Sequence, residues 1–494
     1  MAGKKNKQNE FVKRGKNGKV SKKEIAKPEH PQPQQIRQPV ETGQPLVERL
    51  KSCAPFGALL TTIFALALYI RAVLPYDSVF HAGGIPEGVI RFGGNDPWYH
   101  MRIVDYLLHN YPHNLFYDAF TNAPYGNCQH YGPLYDHTIA FISIILGFGQ
   151  PDVHLVGTVG AYFPAVLGAL VVIPVYFIGK HLHNRGTGLL AALIIATLPG
   201  QFLSRSLLGF TDHHVAETLL STITILFFML ALRSARAQNL SFNDLNRDWR
   251  AIKYPLLYII LAGVSYAAYQ LCWTGALMFG MILMLSAVII YIVEHIRGNS
   301  TAYITIIVAI TFGLELLLIL PWIHPEQGFS SNYSWLHVLA SLVAIVACIL
   351  MYTVSKEMNR RDVNPYYYPV VLVAVAIIGF GLVSIVSPAL FSTVINLPSS
   401  VLSIKTGGSA TVAEASSMLM RGIPPQLDIG RTSMAYGNFG NCFYGSLLGV
   451  LVLGYYVIKR WKPEEILALV WTLVMLIAIY GQNRFGYYYA VNAA

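Results

Sequence analysis

The sequence predicts an all-α polytopic membrane protein of about eleven spans, and three observations carry that reading. Of 494 residues, 54% are hydrophobic and only 12% charged, against roughly 25% charged in soluble domains. The apolar residues gather into runs of about 18–25, the length at which a helix crosses a bilayer with its backbone groups satisfied internally. Lysines and arginines collect in alternate loops between those runs, the pattern of a chain whose basic loops stay cytoplasmic.

Residues 1–51 hold 13 Lys/Arg against 5 acidic residues. Rich in Lys, Gln and Pro and poor in aromatics, they cannot bury a core and are expected to form a disordered basic tail. About fifty polar residues precede the first apolar run, so this is no signal peptide. Beside a span, a basic tail fits anchoring on anionic cytoplasmic lipid better than nucleic-acid binding. Residues 52–494 then read as one transmembrane domain. Spans are expected at roughly 54–74, 153–180, 186–204, 215–233, 254–272, 275–294, 301–322, 335–355, 367–391, 442–458 and 464–481. The run 138–149 is too short to cross and reads as interfacial or re-entrant. The five cysteines lie far apart and form no Cys-x-x-Cys, so they outline neither a zinc site nor a disulfide framework.

Lys180/Arg185, the Arg233–Lys253 segment, Arg297, Lys356/Arg360/Arg361 and Lys459/Arg460/Lys462 place one set of loops in the cytoplasm with the N-terminus. The outer side then carries a long first loop at 76–152 and the turn at 205–214. A turn near 273, the segment 323–334, a loop at 392–441 and the residues after Gly481 also fall there.

Four polar clusters land on that outer side: Asp96, the run Thr211-Asp212-His213-His214, the run Thr411-Val412-Ala413-Glu414, and Arg484. Each has a bland reading. Asp96 before Pro97 and Asp212 can cap helices, the histidines can be interfacial, Glu414 can be an exposed loop acid, and Arg484 can snorkel to headgroups. Neither capping nor snorkelling predicts acids, histidines and an arginine together on one membrane face. Oxygen ligands from Asp96 and Asp212, with Glu414 a further candidate, and one imidazole, His214, suit Mn²⁺ or Mg²⁺ better than zinc. Glu315 lies well inside a span, where acids face a partner or a cavity, and the sequence names no partner for it.

Gly94-Asn95-Asp96-Pro97-Trp98-Tyr99-His100, Arg205 seven residues before Asp212-His213-His214, Thr411 to Glu414, and Arg484-Phe485 match in order the motifs of oligosaccharyltransferase catalytic subunits. The chain most resembles the archaeal type, whose second acidic motif ends in histidine. The resemblance implies a glycosyltransferase of the C superfamily, with about 11 of the family's 13 spans present. It implies en bloc transfer of an oligosaccharide from a dolichyl phosphate or diphosphate carrier to Asn of Asn-X-Ser/Thr sequons in an acceptor protein. By the same resemblance Asp96 and Glu414 hold the acceptor amide and act as the catalytic pair. Asp96, Asp212 and His214 bind the metal, and Arg205 orients its ligands. Arg484, His130, His213 and Trp273 contact lipid phosphate or glycan. The family's Trp-Trp-Asp-Tyr-Gly motif lies in a C-terminal globular domain that this sequence is expected to lack, as a fragment would.

Two rivals make different demands. Another polyprenyl-phosphate glycosyltransferase, such as a protein O-mannosyltransferase, shares an acidic motif in the first outer loop but does not need Thr-Val-Ala-Glu far downstream. A transporter would concentrate its polar residues at mid-membrane, and only Glu315 answers to that.

Overall fold

A computed structural model describes residues 46–83, 86, 88–128, 131–247, 250, 252–330, 332–402, 413–421 and 426–494. Of the expected tail, residues 1–45 lie outside the described residues, while its last residues open a helix, Leu46–Leu68. Ala54–Ala494 form one compact unit.

The protein is a multi-pass membrane protein of the expected all-α class. Among the described residues, ten helices are long and apolar enough to span: Ala54–Phe80, Val153–Leu182, His214–Ala237, Lys253–Cys272, Thr274–Ile296, Ala302–Trp322, Trp335–Arg360, Pro365–Val386, Asn441–Arg460 and Pro463–Gly481. The eleventh expected span, 186–204, is shorter than the sequence suggested. Its helix covers Arg185–Thr197, 13 residues, or about 20 Å at 1.5 Å per residue. Leu198 is extended, Pro199 cannot continue a helix, and Gly200 at φ 97° turns the chain into a separate short helix, Gln201–Ser204. Val153–Leu182 is broken at Val171, because the ring of Pro174 excludes the carbonyl four residues before it. The 138–149 run becomes a 14-residue helix, Pro133–Leu146.

The 392–441 loop also carries more structure than its composition suggested. A helix, Pro388–Leu402, runs into it. A single 3-10 turn at Ala413–Ala415, a two-stranded antiparallel hairpin (Met420–Arg421 with Gln426–Leu427) and a short helix, Met434–Phe439, follow. Thr411 and Val412 lie outside the described residues.

The largest packing surface joins His214–Ala237 to Lys253–Cys272, with Ala302–Ile319 against the latter. Buried side chains at 3.6-residue spacing, such as Ile225, Phe228, Met229 and Leu232, make this the core. Glu315 is buried here, and the structure supplies the partners the sequence could not. Gln270 donates to it at 2.9 Å and Ser341 at 2.6 Å. A second buried polar group, Arg71, ties the first span to the 195–206 segment. Its Nε donates to Ser206 at 2.9 Å and its terminal nitrogens to the carbonyls of Ala67, Ala196 and Ile195, so one guanidinium fork closes the end of Arg185–Thr197 and pins the segment that follows.

Candidate active site

Two backbone segments carry the acidic motifs; one is fastened to the helix Val153–Leu170, and the other is fastened to the first. Gly209 donates to the Ala161 carbonyl at 2.9 Å and Thr211 Oγ1 to that of Gly160 at 2.8 Å, while Gly93 donates to Gly209 at 3.0 Å. From this ladder the chain enters the helix Asp96–Asn110, with Pro97 in its first turn and no side-chain cap bond from Asn95. Asp96 stands exposed at its mouth, and His100, one turn on, is buried on the same face.

His100 stands between two carboxylates. Its Nδ1 lies 2.7 Å from Asp136, and its Nε2 lies 3.5 Å from Asp212 and 3.0 Å from His213 Nδ1. Burial alone would depress this imidazole, but Asp136 and then Asp212 outweigh it and push it up to about 10. Burial would raise Asp212, and His214, His213 and His100 together hold it well below the usual carboxylate range. His213 Nδ1 lies 2.8 Å and His214 Nε2 3.3 Å from the Asp212 oxygens. A local turn, with Asp212 N bonded to the Phe210 carbonyl at 2.8 Å, brings both rings to one carboxylate.

Beyond His214 sits Glu217, three residues into the span and fully buried, 2.8 Å from His214 Nδ1 and 3.4 Å from His213 Nε2. Tyr488 and Tyr487 donate to it. Among the described residues two groups could hold a metal ion: His100 with Asp212 and His213, and His213 with His214 and Glu217. Both Asp212 oxygens and His213 Nε2 are buried without a hydrogen bond of acceptable geometry. Buried polar atoms are seldom left so, and a carboxylate ringed by imidazoles suits a divalent transition ion.

Tyr131, in the segment 76–152, and Trp273, at the end of Lys253–Cys272, close the cluster. They pair as an isolated antiparallel bridge, and Gly132 donates to the Cys272 carbonyl at 3.2 Å. Trp273 stacks on His213 at 4.9 Å and 28°, while the Tyr131 ring lies 4.8 Å from His100 and 4.9 Å from His213. Asp96 is felt at this point too: after burial, its charge is the next cause raising the Tyr131 phenol. His130 lies outside the described residues.

On the opposite side Arg205 pairs with Glu414 and stands 3.9 Å from Asp212 Oδ2. Burial would lower its guanidinium, and Glu414 outweighs that and raises it. The Glu414 segment is tied to the end of Pro463–Gly481, with Met418 N donating to Ile479 at 3.1 Å and Asn483 N to Ser416 at 2.6 Å. Those bonds bring Arg484 to the same end of the molecule. Its Nε is buried and donates to nothing among the described residues.

The structure thus gathers Asp212, His213, His214, Trp273, Arg205 and Glu414. Arg484 flanks them and Asp96 sits at the mouth, outside either metal-ligand group. Sequence reasoning gave no role to His100, Asp136, Glu217, Tyr131, Tyr487 or Tyr488. Glu217 left a signal, an acid on the same helix face as His214 at the start of an apolar span.

Residues 62–414 match the family described as Oligosaccharyl transferase STT3, N-terminal. Dolichyl-phosphooligosaccharide-protein glycotransferase 3 of Archaeoglobus fulgidus is 29% identical over 438 residues, 87% of this chain and 48% of that protein. The archaeal oligosaccharyltransferase AglB of the same organism, solved with an inhibitory peptide and a dolichol-phosphate, superposes with a TM-score of 0.78 at 28% identity, covering 90% of this chain and 50% of that one. An A. fulgidus oligosaccharyltransferase complex with Zn and sulfate gives 0.68 at 25% identity, over 88% and 47%. The chain spans about half the length of the curated relatives it matches. With the matched region covering most of its length, the chain belongs to the oligosaccharyl transferase STT3 family.

Proposed function

We propose that this chain is the membrane-embedded catalytic part of a dolichyl-phosphooligosaccharide–protein glycosyltransferase working on the outer membrane face. The observation that carries it is Arg205, which joins Glu414 to Asp212 and so links the downstream acid to the buried histidine cluster. A protein O-mannosyltransferase has no need of that connection.

In the reaction the bond between the anomeric carbon and the carrier phosphate breaks, and one forms from that carbon to the asparagine side-chain nitrogen, which loses a proton. An amide nitrogen is a poor nucleophile because its lone pair is delocalised into the carbonyl. Asp96 and Glu414 accept the two amide N–H groups, weaken that delocalisation, and give the departing proton a carboxylate to go to. Arg484, with its buried free donor, meets the phosphate oxygens as the leaving group gains charge.

Oligosaccharyltransferases depend in general on a divalent metal, and Asp212 and His214, with Asp96 from the mouth, would hold Mn²⁺ or Mg²⁺ here. Bound there, the ion neutralises charge on the carrier phosphate. His100, fixed by Asp136, and His213, fixed by Trp273, keep Asp212 in place. The acceptor is an Asn-X-Ser/Thr segment and the donor a dolichyl phosphate-linked oligosaccharide.

The test is glycopeptide formation in membranes carrying the protein, with lipid-linked oligosaccharide and a sequon peptide. Chelation should abolish transfer, and Mn²⁺ or Mg²⁺ should restore it. Undiminished turnover in excess chelator would overturn the metal site, and a hydroxyl-linked product would overturn the reaction.

A further inference from the structure

Glu217 has no part in the reaction as drawn, yet it is a fully buried acid in the first turn of the apolar span His214–Ala237. A carboxylate there is expensive unless it is partnered, and its partners are specific. Tyr488 donates to Oε2, and Tyr487 OH reaches both oxygens, at 3.5 and 3.4 Å. Both phenols are buried and stand on Gly486–Ala493, the helix that follows Arg484. A phenol has one proton, and that of Tyr488 goes to Glu217. Tyr269 OH, 2.5 Å from Tyr488 OH and carried by Lys253–Cys272, therefore donates to Tyr488. The carboxylate is thus fixed from behind by a chain of hydroxyls.

Its forward face meets the histidines. Oε1 lies 2.8 Å from His214 Nδ1, and His214 Nε2 faces Asp212 Oδ2 at 3.3 Å. An ionised carboxylate only accepts hydrogen bonds, so Nδ1 carries a proton toward Glu217 and leaves Nε2 to face Asp212. A histidine that binds a metal through one ring nitrogen almost always donates from the other, which fixes its tautomer and orientation. Glu217 could instead be a ligand itself, grouped with His213 and His214. The unsatisfied atoms place the cation elsewhere. Both Asp212 oxygens are buried without a hydrogen bond of acceptable geometry, whereas both Glu217 oxygens are engaged. Of the second group only His213 Nε2 is left so.

We propose that Glu217 is a positioning residue: by accepting from His214 Nδ1 it turns Nε2 toward Asp212 and the ion assigned there, touching neither ion nor substrate. The proposal rests on the metal site above and deepens it. It also ties that site to the helix behind Arg484, because Tyr487 and Tyr488 hold the carboxylate that holds the ligand.

Mn²⁺ binding to the metal-free protein in detergent, read as free Mn²⁺ by electron paramagnetic resonance, tests this without turnover. Glu217→Gln keeps an oxygen to accept from Nδ1, and the phenols can rotate to accept from its amide, so Kd for Mn²⁺ should stay within about threefold. Glu217→Leu removes the acceptor, and Kd should rise about 10- to 100-fold. Elution as a single species by size exclusion verifies the fold, and Glu217→Met, unbranched and adaptable, replaces the Leu variant if that one fails. A Gln variant as weak as Leu makes Glu217 a ligand, since a neutral amide oxygen is a poorer donor to the ion than a carboxylate. Parent-like binding in the Leu variant makes Glu217 mere filling, and either result overturns the proposal. Asp212→Asn separates it from the reading beneath it. Intact Mn²⁺ binding in Asp212→Asn sinks the metal site and the positioning role together. Loss there with parent-like Glu217→Leu sinks the positioning role alone.

Discussion

Arg205 forms an ion pair with Glu414, 209 residues away in sequence, while standing 3.9 Å from Asp212. One guanidinium therefore holds the acid assigned to the acceptor beside the acid assigned to the ion. The two carboxylates share a partner but face different chemistry, and that separates their variants. Glu414→Gln keeps the shape and loses the anionic acceptor, so transfer should fall by about 10²-fold or more while metal affinity stays within a few-fold. Asp212→Asn should weaken metal binding directly, and excess Mn²⁺ should partly rescue it. Titrating metal into both variants while measuring glycopeptide decides this. If Glu414→Gln is the one that metal rescues, the division of roles is wrong.

The basic loops predict the orientation. An accessibility tag within 234–252 should react only from the cytoplasm, and one within 395–405 only from outside. The reverse pattern would put Asp96, Asp212 and Glu414 on the face away from acceptor proteins.

Asp118 predicts a pH dependence of the long segment at 76–152. It is buried and accepts from Arg102 at 2.6 and 2.9 Å, from Tyr99 at 3.0 Å and from Phe120 N at 2.9 Å. The Arg102 guanidinium, aided by Phe120 N–H and Tyr99 against the effect of burial, holds its carboxyl well below the usual range. A depressed acid contributes stability that is fully present above its unfolded value, near 4, and lost as pH falls below that. The loop should therefore resist proteolysis equally from about pH 5 to 8 and loosen on acidification below about pH 4. Asp118→Asn should remove that pH dependence and destabilise by about 1–2 kcal/mol, toward the low end because Arg102 is partly solvated. An unchanged acid profile in the variant would assign the transition to another group.

The spans were legible because a bilayer demands long apolar runs, and any such run announces itself. The exception at 186–204 turns on Gly200, whose positive φ after Pro199 ends the helix within a stretch that remains apolar. Asp212, His214 and Arg484 stood out because polar residues at span ends are expensive, whereas Glu414 and Arg205 stood out through the ordered motifs shared with oligosaccharyltransferases. Asp136 and Tyr131 did not, because their roles depend on which ring they meet, and no local pattern carries that. The partners of Glu315 were hidden for the same reason, since Gln270 and Ser341 come from two other helices.

Gly132 tests the link between the 76–152 segment and the histidines. Its N–H donates to the Cys272 carbonyl, and an added Cβ would stand 2.0 Å from the Leu271 carbonyl oxygen and 2.5 Å from the Cys272 carbonyl carbon. Both are backbone atoms and cannot swing away as a side chain would. In Gly132→Ala the Tyr131–Trp273 bridge must therefore part, carrying Tyr131 away from His100 and His213 and loosening the ring stacked on His213. A displacement of about 1 Å at a reacting centre can cost roughly 10²-fold in rate, whereas local overpacking costs about 1–3 kcal/mol of stability. Transfer should thus fall by about 10²-fold in protein that still inserts and elutes as a single species by size exclusion. Gly313→Ala, where an added Cβ meets nothing within 4 Å, should leave both stability and turnover intact and serves as the control. Wild-type turnover in Gly132→Ala would mean that Tyr131 and Trp273 merely cover the site, with the histidines held by Asp136, Asp212 and Glu217.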